Sequence, residues 1–136
     1  MTVTASTAAT LANAYRASRA ASVAAEIKRQ IGTGPLMSLG AHDFRHTNME
    51  GGSPALAFKV RILPMKADGT RSSRPRIMHV LIWLTDADDY GIRVAYVNRL
   101  RLVKHYEASG IYADRLPRMM LSLDYDGDEL RNPRYL

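Results

Sequence analysis

Cysteine is missing altogether. Its absence excludes a disulfide framework, a thiolate metal site and a thiol nucleophile, and it disfavours secretion. Long hydrophobic runs are missing too. The longest apolar stretch is residues 80–84, VLIWL, far too short to cross a bilayer. The alanine-rich start contains no signal-peptide core, because Arg16, Arg19, Glu26, Lys28 and Arg29 interrupt it every few residues. Its Ser, Thr, Ala and Arg content suits an organellar transit peptide only weakly, since Glu26 and the pattern of a docked helix argue against one. Stacking aromatics are scarce; Tyr96 is read as a core residue, which gives little support to sequence-tolerant single-strand binding. There is no Gly-rich phosphate loop, nucleophile elbow or zinc-protease motif. No enzymatic activity and no cofactor are therefore expected.

With 136 residues, 46% of them hydrophobic and 24% charged, the chain has the size and composition of one folded domain with one core. The domain is read as residues 10–125, with a disordered N-terminal tail over 1–9 and a C-terminal tail over 126–136. The net charge of +6 is unevenly spread. Eleven Lys/Arg face four Asp/Glu up to Val80, and eight face nine beyond it. Such an excess favours anionic partners through long-range attraction, whether nucleic acid, an acidic protein or anionic lipid.

The apolar spacing of Leu11 and Tyr15, then Val23, Ile27 and Ile31, predicts a helix from Thr10 to Ile31, ended by Gly32, Gly34 and Pro35. After a short apolar piece, residues 42–49 read as an irregular strand ending at Gly51-Gly52. Leu56, Phe58, Val60 and Ile62 alternate with Ala57, Lys59 and Arg61, the period of two of a half-buried strand stopped by Pro64. Residues 65–75 read as a flexible basic loop. Residues 76–85 are apolar on both faces, with Ile77, Leu81 and Trp83 on one side, Met78, Val80, Ile82 and Leu84 on the other, and His79 the exception, as in a central strand. A hairpin loop ending at Gly91 leads to the strand of Ile92, Val94 and Tyr96, expected to run on extended through Leu102 past a bulge near Asn98. A last helix gathers Ile111, Tyr112, Leu116, Met119, Met120 and Leu123 on one apolar stripe, with Pro117 a point at which it splits into two short turns. The predicted fold is α+β: an N-terminal helix, an antiparallel β-meander of three to four strands, and a C-terminal helix packed on one sheet face.

Helices on one face leave the other to Lys59, Arg61 and Arg93, joined by Arg99 and Arg101. Arg71, Arg74 and Arg76 extend the cations along the loop, where each neutralised phosphate would release counterions. Crowded like charges on one sheet face destabilise it unless an anion or a carboxylate intervenes. The plainer alternative is a solvated face with acids such as Asp88 and Glu107 interspersed. His42 and His46 have a ligand-like spacing, which a strand returns to one face, but no third ligand lies nearby, so no metal is expected. Asp124, Asp126 and Asp128 fail as a calcium loop, because Glu129 and Tyr135 occupy the positions that need glycine and a bidentate carboxylate. Asp86, Asp88 and Asp89 read as a hairpin loop.

Residues 31–44 (IGTGPLMSLGAHDF), 56–62 (LAFKVRI) and 110–116 (GIYADRL) resemble segments of small phage and prophage proteins, with Leu39-Gly40-Ala41 in place of their usual Thr-Gly-Ala. The resemblance implies a mobile element in a bacterial cytoplasm and brings no catalytic residues. Three partners follow as expectations: nucleic acid first, an acidic host protein bound by an inhibitor or adaptor second, and further copies of the chain in a virion component third.

Overall fold

A computed structural model describes residues 5–66 and 68–124. Helix α1 (Ala5–Ile31) and the short α2 (Thr33–Ser38) precede five strands, β1 (His42–Asn48), β2 (Pro54–Ile62), β3 (Arg76–Leu84), β4 (Tyr90–Asn98) and β5 (Arg101–Ile111). A 3-10 turn (Ala113–Arg115) and α3 (Leu116–Leu121) follow. The strands form one antiparallel sheet in the order β1-β2-β3-β4-β5, so the α+β class and the meander are as expected, with one strand more. Among the described residues no helix is long and apolar enough to cross a membrane.

The extra strand comes from a turn that the sequence does not advertise. At Asn98 the chain does not continue past a bulge. It reverses through Arg99 and Leu100, whose φ angles of 51° and 65° are both left-handed. Two-residue hairpins need that conformation at both positions and normally signal it with Asn-Gly or Asp-Gly. Here two bulky residues adopt it, at a cost of roughly 1–2 kcal/mol each.

Strand alternation sends Leu56, Phe58, Val60 and Ile62, Met78, Val80 and Ile82, and Ile92 and Val94 to one side, where all are buried. The helices cover that side. Of α1, the stripe Ala20, Ala24, Ile27 and Ile31 is what packs. Leu11 and Tyr15, expected to share it, lie 63% and 70% exposed, because the outer half of α1 runs past the sheet. The helix also begins at Ala5 instead of Thr10. Gly32, at φ 91°, ends α1, and α2 then turns Leu36 and Leu39 into the core. Pro117 presents no obstacle: Ile111 ends β5, the 3-10 turn follows, and proline falls in the first turn of α3, where a missing N–H is harmless. Leu116, Met119, Met120 and Leu123 close the core. Residues 31–44, 56–62 and 110–116 all contribute to this covered side, through Ile31, Leu36, Leu39, Leu56, Ile62, Ile111 and Leu116. The expected tail over 126–136 lies outside the described residues.

Candidate functional site

Among the described residues the other side of the sheet carries no helix, and antiparallel partners share a side, so the register arranges its residues in rows. Ala55, Trp83 and Gly91 form one row; Arg45, Ala57, Leu81, Arg93 and Glu107 the next; Lys59, His79, Ala95 and Lys104 a third. A fourth holds Arg61 beside Ile77 and Val97 beside Leu102. Between the middle rows runs an open groove of about 460 Å³ floored by Ala57, Leu81 and Ala95, with His79 at its centre and Leu102 on its rim.

The cations of this face are Arg45, Lys59, Arg61, Arg93 and Lys104, against the carboxylates of Asp43 and Glu107. Lys59 Nζ donates to Asp43 Oδ2 at 2.9 Å, and Arg93 Nε donates to Glu107 Oε1 at 2.5 Å. Lys104 Nζ lies 3.9 Å from the other oxygen of Glu107. Each hydrogen bond and the adjacent charge hold both carboxyls below the usual carboxylate range. Lys59 and Arg93 are therefore not the repelling neighbours that the sequence implied: β3 stands between them and each has its own acid. Both pairs are partly exposed, where ion pairs are weak and exchangeable. The guanidinium groups of Arg45 and Arg61 have no hydrogen-bond or ion-pair partner among the described residues, although the Arg61 N–H donates to Leu39 O at 2.7 Å. The stem of Arg61 lies along Gly40, where an added Cβ would sit 3.6 Å from Arg61 Cβ.

Burial, then the charge of Lys59, pushes the His79 imidazole below its ordinary value of 6.5, so at neutral pH it is an uncharged hydrogen-bonding group in a cationic groove. At the end of the face the Trp83 indole covers Gly91; a Cβ there would fall 2.2 Å from indole Cε2 and Cζ2, far inside van der Waals contact distance. The Arg93 guanidinium is 5.6 Å from the indole centre. Period-two alternation puts His79 and Trp83 on one side of β3 with Leu81, but that strand is apolar on both sides, so nothing in it says which side the helices leave open.

Of the residues expected in the patch, Lys59, Arg61 and Arg93 meet on this face. Arg76 does not. It shares the side of Met78, its guanidinium 4.2 Å from the Tyr96 ring centre and its Nη2 donating to Val97 O at 3.2 Å. Arg71 is a structural clamp, 3.4 Å from Asp124 Oδ1, the oxygen that also accepts the Leu63 N–H at 3.0 Å. Arg74 is exposed in the loop, its N–H held by Ser72 Oγ. That loop is also tighter than expected, with a bridge between Met65 and Arg71 and a 2.7 Å bond from Lys66 N to Thr70 O. Arg99 caps the β4–β5 turn, and Arg101, opposite Asn98, falls on the side of Tyr96 and Val103. Arg45 and Lys104 take the places that these residues leave.

His42 and His46 fall on opposite sides of β1, because a bulge at Asp43, φ 56°, separates them: His42 pairs with Lys59 and His46 with Leu56. Among the described residues no three acids or histidines gather as a metal site. Asp124, the first of the supposed calcium ligands, is occupied with Leu63 and Arg71; Asp126 and Asp128 lie outside the described residues. No protein-family model, curated protein or solved structure matches the chain.

Proposed function

We propose that this chain is a non-enzymatic binding module that takes nucleic acid on the uncovered face of its sheet. The observation that carries the reading is the gathering of Arg45, Lys59 and Arg93, with Asp43, along one apolar groove, and of Arg61, Lys104 and Glu107 on the same sheet face. A phosphate displaces Asp43 or Glu107 from an exposed lysine or arginine at small expense, since such pairs contribute about 0–1 kcal/mol. The mixed rim also opposes face-to-face self-association, which would bring like charges together. A role in a phage or prophage, acting in the cytoplasm of a bacterial host, is in keeping with the resemblance of residues 31–44, 56–62 and 110–116.

A mobility-shift titration at increasing salt tests the reading. Affinity falls linearly on a log–log plot, and Lys59→Ala or Arg61→Ala each reduces the slope by about one. Salt-insensitive binding, or none at low salt, overturns it. A second reading, an acidic protein partner, draws on the exposed row of Ile77, Val97 and Leu102. It is favoured if a stoichiometric partner survives nuclease treatment and is lost with Leu102→Ser.

A further inference from the structure

We infer, on the strength of that reading, that the nucleic acid is single-stranded and that one base stacks on Trp83. Width decides against the duplex. Five strands about 4.8 Å apart span roughly 19 Å between outer axes, whereas a major groove of about 12 Å admits a helix or a two-stranded ribbon. A sheet presented by its face meets a duplex only at the crests of its phosphates. A single strand can lie along the face, its bases turned toward the groove and its phosphates toward the rim, which is how open sheets with surface aromatics take unpaired nucleotides.

The row that contains Trp83 is built as a platform. One π face rests on Gly91, where no side chain can be accommodated, and the cross-strand neighbour on the other flank is Ala55. Neither Gly91 nor Ala55 raises a bulky side chain beside the ring; Trp83 is half-buried and the Arg93 guanidinium lies over the ring, so a base reaches that π face by shifting the guanidinium aside. Arg93 stands close enough to the indole to bond a phosphate on the same nucleotide or to stack beside the base. From Trp83 the same side of β3 continues through Leu81 to His79, an apolar step and then a hydrogen-bonding group for the next base edge.

The chain contains one tryptophan, so its emission reports this position directly. Titrating the intact protein at low salt with short oligothymidine quenches the emission, and a duplex of the same length quenches it much less. Trp83→Leu, which keeps an apolar cover over Gly91, weakens oligothymidine binding roughly 5- to 100-fold by anisotropy of a labelled strand, and Trp83→Phe recovers much of the loss. An indole over a cross-strand glycine also repairs the contact that glycine lacks. If that is its whole role, Trp83→Leu alters stability while oligothymidine affinity and wild-type emission stay unchanged, and the inference fails. A duplex that binds as tightly as the single strand overturns it too and leaves the nucleic-acid reading standing. Absence of binding by both takes down the two together. The quench needs no variant, so a Trp83→Leu protein that misfolds does not remove the test.

Discussion

The two faces of this sheet come from the same strands and differ in what water can reach. On the helix side, alternate residues of β2, β3 and β4 are large, apolar and buried. On the other side the same strands place Ala57, Leu81 and Ala95 in a shallow floor, with His79, Trp83, Lys59, Arg61 and Arg93 on the same face and Arg45 and Lys104 on the outer strands. One face holds the fold together, and the other is left uncovered. The small floor residues teach the point most directly, because alanine in a strand supplies little packing, and where a floor is low its rim can meet a ligand.

That contrast breaks most visibly at the covered face. Ile82→Ala empties a fully buried site and lowers stability by about 2–5 kcal/mol, read from denaturant midpoints, while the protein that stays folded keeps its affinity. Arg71→Ala comes next. It removes the cation from the Asp124 carboxylate that ties β2's exit to the C-terminal turn and lowers stability by about 1–2 kcal/mol, discounted for partial exposure. The salt dependence of nucleic-acid binding does not move; a change there would return Arg71 to the binding surface.

His79 gives the smallest and sharpest test. Its folded value lies below the ordinary 6.5, so the unfolded chain takes up this proton first as pH falls. Its contribution to stability is complete above the unfolded value and is lost as pH drops through 6.5 toward the folded value. A bound polyanion reverses the preference and favours the imidazolium. Hence affinity rises between neutral pH and about pH 5 while stability falls, and His79→Gln flattens both trends. Burial depresses the histidine most and the charge of Lys59 on the neighbouring strand adds to it, so Lys59→Ala moves its titration part of the way upward by NMR.

Much of the fold was legible because its strands obey simple alternation. Phe58, Val60, Ile62, Ile92 and Val94 announce their side without help. The Arg99-Leu100 reversal was not legible, since neither residue favours a left-handed backbone, and so β5 was read as a continuation of β4. The candidate site was half legible. Lys59, Arg61 and Arg93 follow from period two within their own strands. Arg71 and Arg76 were misassigned because their partners, Asp124 and Tyr96, are remote in sequence and only folding brings them near. Trp83 and His79 were hidden for another reason: a strand apolar on both sides does not disclose which side the helices will choose, and only the closing of α1 and α3 over Val80 and Ile82 settles it.

In this meander every strand pairs with its nearest neighbours along the chain, and every connection except the long loop between β2 and β3 is a short turn that lets its hairpin close as soon as the second arm exists. Low sequence separation between contacts is what makes folding fast, and a sheet assembled in this order can grow strand by strand behind a moving ribosome. Because α3 packs against α1, a helix made long before it, the core closes only once the last element has been added.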